Sequence, residues 1–172
     1  PRCGLAIISP HLNKREFTQL EKFCGRKRFG HAFSLGGLYV TTSGATHTAQ
    51  YALAKMLEES TNGNYNFVKV TSEYGKRAKK VSKIFLKHGF KQVYEKDMDE
   101  TVGNGFYLTM SYPNFDGNDL MIELMKYGIS TITLKSTGSN RHEGLRVCIS
   151  FVSENEMPAL DEKLKIFKEN NN

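Results

Sequence analysis

Gly144-Leu145-Arg146-Val147-Cys148-Ile149-Ser150-Phe151 sets one arginine against the grain of a buried strand. Leu145, Val147, Ile149 and Phe151 alternate with Arg146, Cys148 and Ser150, the period-2 pattern of a strand with one core face. Arg146 therefore projects from the other face, among small residues, on a rigid element. A guanidinium held that way suits a planar carboxylate, which it grips through two parallel hydrogen bonds. The competing reading is an exposed strand arginine with no ligand.

Working outward, Ser153-Glu154-Asn155-Glu156 reads as a capping box opening a last helix with Leu160, Leu164 and Phe167 on one side. Before Arg146, Ile129 to Leu134 reads as a strand. Asp116 starts a helix that turns Leu120, Met121, Leu124 and Met125 inward and stops at Gly128. After the Gly103-Asn104-Gly105 turn, Phe106, Leu108, Met110 and Tyr112 alternate with polar residues as a strand, and Gln92–Glu95 is a short strand before the acidic loop 96–100. The longest helix spans roughly Tyr65 to Lys87. Phe67, Val70, Tyr74, Ala78, Val81 and Phe85 recur there at three- and four-residue steps, and Gly89 is its stop.

The amino-terminal third reads differently. Residues 4–9 are expected to form a strand ending at Pro10. A helix is expected from Lys14 to Cys24, capped by Asn13 and stopped by Gly25. Residues 25–45 carry five glycines and read as a loop with one extended piece, Leu38-Tyr39-Val40; a helix over 46–59 follows, with Ala49, Ala52, Leu53, Met56 and Leu57 inward. The fold class is thus α+β, a small mixed or antiparallel sheet covered by helices, with residues 64–172 as one domain and 1–63 as a helical and strand remnant of another. The chain opens on Pro1 without an initiator Met, inside an expected strand, so it reads as cut from something longer and not as a signal peptide.

Composition narrows the class. The 172 residues are 39% hydrophobic and 24% charged, a folded chain and not a disordered one. No apolar run approaches the ~20 residues that cross a bilayer, so no membrane is expected. Cys3, Cys24 and Cys148 stand alone, which fits a reducing, cytoplasmic-type setting, and the five histidines never fall at ligand spacing with a cysteine or each other, so no metal is expected. A net charge of +6 invites a nucleic-acid reading. Much of it, however, sits in Lys76-Arg77-Ala78-Lys79-Lys80-Val81-Ser82-Lys83 on a solvated helix face, without the interleaved aromatics on which bases stack, so no nucleic-acid partner is expected.

Five pieces in this order carry a resemblance over nearly the whole chain: Thr42-Ser43-Gly44-Ala45-Thr46-His47-Thr48-Ala49-Gln50; Tyr74-Gly75-Lys76-Arg77; Gly103-Asn104-Gly105-Phe106-Tyr107-Leu108; Leu124-Met125-Lys126-Tyr127-Gly128-Ile129-Ser130; and the Arg146 strand. Together they resemble the C-terminal part of the fold-type I, pyridoxal-phosphate-dependent aminotransferases of class I/II. The resemblance implies a parent enzyme that moves an amino group between an amino acid and a 2-oxo acid, as a homodimer with sites at the subunit interface. It places Arg146 on the substrate α-carboxylate.

It also likens Pro1-Arg2-Cys3-Gly4 to the family's Arg-x-Gly, whose arginine contacts the cofactor phosphate, a role that would fall to Arg2. The Schiff-base lysine precedes that motif in the family, and no residue of this sequence precedes Pro1, so the chain by itself is not expected to transaminate. A second register sets His31-Ala32-Phe33-Ser34-Leu35-Gly36-Gly37-Leu38-Tyr39 on the lysine motif, with His31 in place of lysine and Tyr39 in place of arginine, and makes the chain a degenerate relative. The alternative from another class is a non-enzymatic α+β binding module that recognises a carboxylate metabolite or a partner protein through Arg146. Arg141 and His142, just before the strand, could reach a substrate side chain or simply be solvated surface.

Overall fold

The computed structural model describes residues 3–103 and 105–171, and the chain divides between Asn66 and Phe67 into two units. In the first, residues 4–9 do not form the expected strand: they carry no strand pairing among the described residues, and Leu5 and Ile7 are exposed. Helix α1 (Pro10–Lys14) begins instead at the proline, capped by Ser9, whose hydroxyl accepts from Leu12 N at 3.2 Å. Proline suits a helix's first position because its missing N–H would find no partner there. The expected helix over 14–24 is broken at residues 15–17, where the backbone pairs with 27–29: Phe17 N donates to Lys27 O and Phe29 N to Arg15 O, both at 2.9 Å. Helix α2 (Thr18–Cys24) follows the break and ends at Gly25, at φ +63°, as its sequence signals.

The glycine-rich stretch after it is helical and not a loop. Helix α3 (Phe29–His31), a π-helical segment (Ala32–Tyr39) and α4 (Val40–Thr42) run on as one helix, so Leu38-Tyr39-Val40 is not extended and His31 and Tyr39 lie on one exposed helix. Its glycines serve close packing. A Cβ on Gly30 would sit 1.5 Å from Asn13 Oδ1, and one on Gly36 would sit 2.7 Å from Cys24 Sγ. Ser43 and Gly44, both at positive φ, end it, and α5 (His47–Thr61) starts under the Thr46 cap. Of α5's expected inner side only Ala49 is buried.

The second unit is an α+β layer. Helix α6 (Phe67–Lys87) buries Ala78, Val81 and Phe85, whereas Val70, nearer its start, is exposed. The sheet runs β1 (Lys91–Gln92), β4 (Tyr107–Ser111), β6 (Leu145–Cys148) and β5 (Ile132–Thr133) from edge to edge, and every neighbour is antiparallel. The expected acidic loop is a hairpin of β2 (Lys96–Asp97) and β3 (Glu100–Thr101), turned at Met98 with φ +56°. Helix α7 (Gly117–Lys126) is capped by Asp116, whose carboxylate accepts from the N–H groups of Asn118 and Asp119. A capping box of Ser153 and Glu156 opens a short turn into α8 (Met157–Asn170).

One core joins the three long helices to one face of the sheet, built on Phe85, Met110, Leu120, Leu124, Leu145, Ile149, Leu164 and Phe167, all without solvent contact. Each fully buried side chain of this size contributes about 1.5–3 kcal/mol. Phe167 stands at the centre of a ring cluster, 5.0 Å from Tyr112, 5.4 Å from Phe90 and 5.5 Å from Tyr127 between centroids. Phe106 and Phe151, expected on the core face, are exposed instead: both lie just outside β4 and β6, although Phe106 O still accepts from Ile149 N at 2.9 Å.

Candidate functional site

Strand β6 lies inside the sheet, with β4 on one side and β5 on the other, and its alternation is the one its sequence reads: Leu145 and Val147 buried, Arg146 half-buried, Cys148 exposed. Arg146 stands opposite Thr109 on β4 and Ile132 on β5. The helices cover the other face of the sheet. Tyr107, Ile132 and Cys148 share the open face with Arg146 and remain exposed.

The strand is anchored at both ends. At its start, Gly117 N donates to His142 O at 2.8 Å and Leu134 N to Gly144 O at 2.9 Å. A Cβ on Gly117 would lie 2.7 Å from His142 O and 2.8 Å from Gly144 O, so only glycine lets the first turn of α7 press against this loop. Beyond its end, Arg77 of α6 donates to Ser150 O at 2.9 Å, and Cys148 Sγ lies 3.1 Å from Ser150 Oγ.

The Arg146 guanidinium sits over the Tyr107 ring, 4.4 Å from its centroid. Such a stack is worth about 0.5–2 kcal/mol and fixes the plane of the fork. Among the described residues no carboxylate lies within ion-pairing distance of Arg146, and no acceptor takes its N–H groups. That leaves the five donors of a fork without a partner among the described residues, the arrangement that receives a carboxylate through two points. Tyr107 also lines a cleft of 210 Å³ with Gln92, Tyr94, Val102, Gly103, Leu108 and Thr109. Thr109 Oγ1, at one side of it, accepts from Tyr94 N at 3.2 Å.

Arg141 behaves differently. Its Nε donates to Glu143 Oε1 at 2.7 Å, its guanidinium lies 6.0 Å from the Tyr94 ring, and Tyr94 Oη lies 2.6 Å from Ser139 Oγ. The Glu143 carboxyl is held below its usual range by its own backbone N–H first and by Arg141 second. Arg141 is therefore internally paired, while His142 is exposed.

From sequence Tyr107 reads as a sheet residue and not as part of the Arg146 site, although alternation along 106–112 sets it on the face opposite the core. What the sequence lacked was the register that brings the two strands together, Tyr107 against Cys148 and Thr109 against Arg146. Arg2, the cofactor-phosphate candidate, lies outside the described residues. Among the described residues no cluster of His, Cys, Asp and Glu is placed to hold a metal ion, and no helix is long and apolar enough to cross a membrane.

No family model matches the chain, and no curated protein does. Among solved structures it is similar to one named NifS-like protein, at 24% identity and a TM-score of 0.42, with 60% of this chain and 30% of that one covered.

Proposed function

We propose that this chain is the C-terminal part of a fold-type I, pyridoxal-phosphate-dependent aminotransferase, and that Arg146 grips the α-carboxylate of its amino-acid and 2-oxo-acid substrates. The observation that carries the reading is an unpaired, half-buried arginine on an inner strand, its plane set by Tyr107 and its donors aimed away from the core. The ordered motifs that resemble the family add to it: four of the five fall within the α+β layer of the second unit, and the Thr42–Gln50 piece lies in the first unit.

The residues described do not assemble a pyridoxal phosphate site. Arg2 of one register lies outside the described residues, and His31 and Tyr39 of the other lie exposed on a helix. What the chain supplies is orientation. Two parallel N–H···O bonds fix both the position and the rotation of a carboxylate, and holding a reactant in one pose removes rotational freedom that the reaction otherwise has to pay for.

Kinetics of the longer protein that carries this sequence test the assignment. Arg146→Lys, which replaces a fork by a point charge, is expected to raise KM for every amino-acid substrate by about tenfold or more. An unchanged KM sinks the clamp. The mass of the native protein separates this reading from the binding module. A chain well above 19.5 kDa with a lysine shortly before Arg2 supports the aminotransferase; a native mass near 19.5 kDa leaves carboxylate binding through Arg146 without transamination.

A further inference from the structure

Away from Arg146, the sheet opens. Strand β5 pairs with β6 only through Ile132 with Arg146 and Thr133 with Leu145. The residues before it, 128–130, and the end of β6 line a cavity of 370 Å³ that α8 closes from one side. Val81, Phe85 and Val147, all buried in the core, line it, with Ile129, Val152 and Leu160. That volume lies at the small end of ligand pockets, roughly 300–1,000 Å³, and the lining is the apolar kind with few polar groups that such pockets show.

Two charged side chains border it, Glu156 in the turn that leads into α8 and Lys163 of α8 itself. The Glu156 carboxylate is committed. It accepts from Ser153 N at 2.8 Å and Ser153 Oγ at 2.6 Å, and these bonds hold its pKa below the usual range. Lys163 is half-buried and makes one long bond, 3.4 Å to Gly128 O. No carboxylate pairs with it among the described residues, and of the lysines of this unit without such a partner, Lys79, Lys83, Lys91, Lys135 and Lys168 among them, it is the one that borders this cavity. An ammonium without a counter-charge at the rim of an apolar cavity is complementary to a molecule with an apolar body and one anionic end.

We infer that this cavity is a binding site for a small apolar carboxylate, its hydrocarbon part against Phe85, Ile129 and Leu160 and its carboxylate on Lys163. The site is separate from the Arg146 fork and stands whether or not that fork belongs to an aminotransferase.

Titration of the ¹⁵N-labelled full chain with sodium octanoate, with 1-octanol as the neutral arm, tests it. Octanoate is expected to shift the amides of Gly128, Ile129, Ser130 and Val152 saturably, and to bind more tightly than octanol. Lys163→Met is expected to weaken octanoate about tenfold, equivalent to ~1.4 kcal/mol, and to leave octanol unchanged. Lys163→Arg should retain octanoate, which guards against a merely structural loss, and Ala159→Trp, which fills the cavity, should abolish both. Octanoate binding that ignores Lys163→Met, equal binding of octanol, or no shift at these amides at millimolar octanoate overturns the proposal.

Discussion

The two units of this chain contain similar kinds of side chain and use them differently. Residues 67–171 bury Phe85, Met110, Leu120, Leu124, Leu145, Ile149, Leu164 and Phe167 completely, whereas in residues 3–66 the buried positions are Gly30, Ala32 and Ala49. The first unit is not short of apolar residues. Leu5, Ile7, Phe23, Val40 and Tyr51 are all more than 70% exposed, and its ring contacts, Phe17 with Phe29 and Phe29 with Phe33 at about 6 Å, stay at the surface. An antiparallel sheet offers a broad face on which three helices deposit their apolar stripes; short helices crossing at glycines bury backbone and small side chains instead.

Amide hydrogen exchange on the whole chain gives the largest contrast. Amides of β4, β6, α7 and the inner turns of α6 and α8 are expected to be protected by several orders of magnitude more than any in α1, α2 or α4, because local opening follows buried apolar contact. Equal protection in the two units breaks the comparison. Truncations sharpen it next. Phe167→Ala, which empties the centre of the ring cluster, should cost about 3–5 kcal/mol in urea unfolding, and Phe33→Ala, 39% exposed, less than about 1 kcal/mol. Caps come third. Asp116→Ala removes the acceptor for two N–H groups of α7 and should cost about 1 kcal/mol, while Thr46→Ala removes one long bond of 3.3 Å to α5 and should cost less than that.

The smallest effect is one of pH. Asp161 of α8 accepts from Lys87 Nζ at 2.7 Å and lies 2.6 Å from Nε2 of the buried His88, and Lys87 first, then His88, hold its pKa below 3.8. A carboxyl whose folded pKa is depressed adds stability that is complete above its unfolded pKa and lost as pH falls through the folded one. Stability of the second unit should therefore decline as pH drops below about 4, and Asp161→Asn should flatten that decline. Because Asp161 is partly exposed, the change is a modest one, read as a small shift of the acid-unfolding midpoint. No change of slope on substitution means the cluster at the α6–α8 contact is not what titrates.

Where the sequence reading of the fold succeeded, one periodicity governed many residues. Leu145-Arg146-Val147-Cys148 alternates without interruption, and the helix over 67–87 repeats its apolar stripe for several turns, so each extra residue repeated the same evidence. It failed where glycine was the signal. Gly30, Gly36 and Gly37 sit inside one helix, and at Gly30 and Gly36 the missing Cβ leaves room for Asn13 and Cys24. Glycine marks a turn and a tight crossing with the same letter, and only the neighbour tells them apart.

By itself the sequence determined the α+β class of the second unit, the caps at Asp116 and Ser153, and the face from which Arg146 projects, because periodicity and capping are properties of consecutive residues. Only the tertiary structure decided that the sheet is antiparallel throughout, that Tyr107 meets Arg146, that Arg141 is spent on Glu143, and that β5 parts from β6 to leave a cavity beside Lys163. Those are facts of register and of contact between residues far apart in the chain, and short-range pattern carries no information about which strand lies beside which.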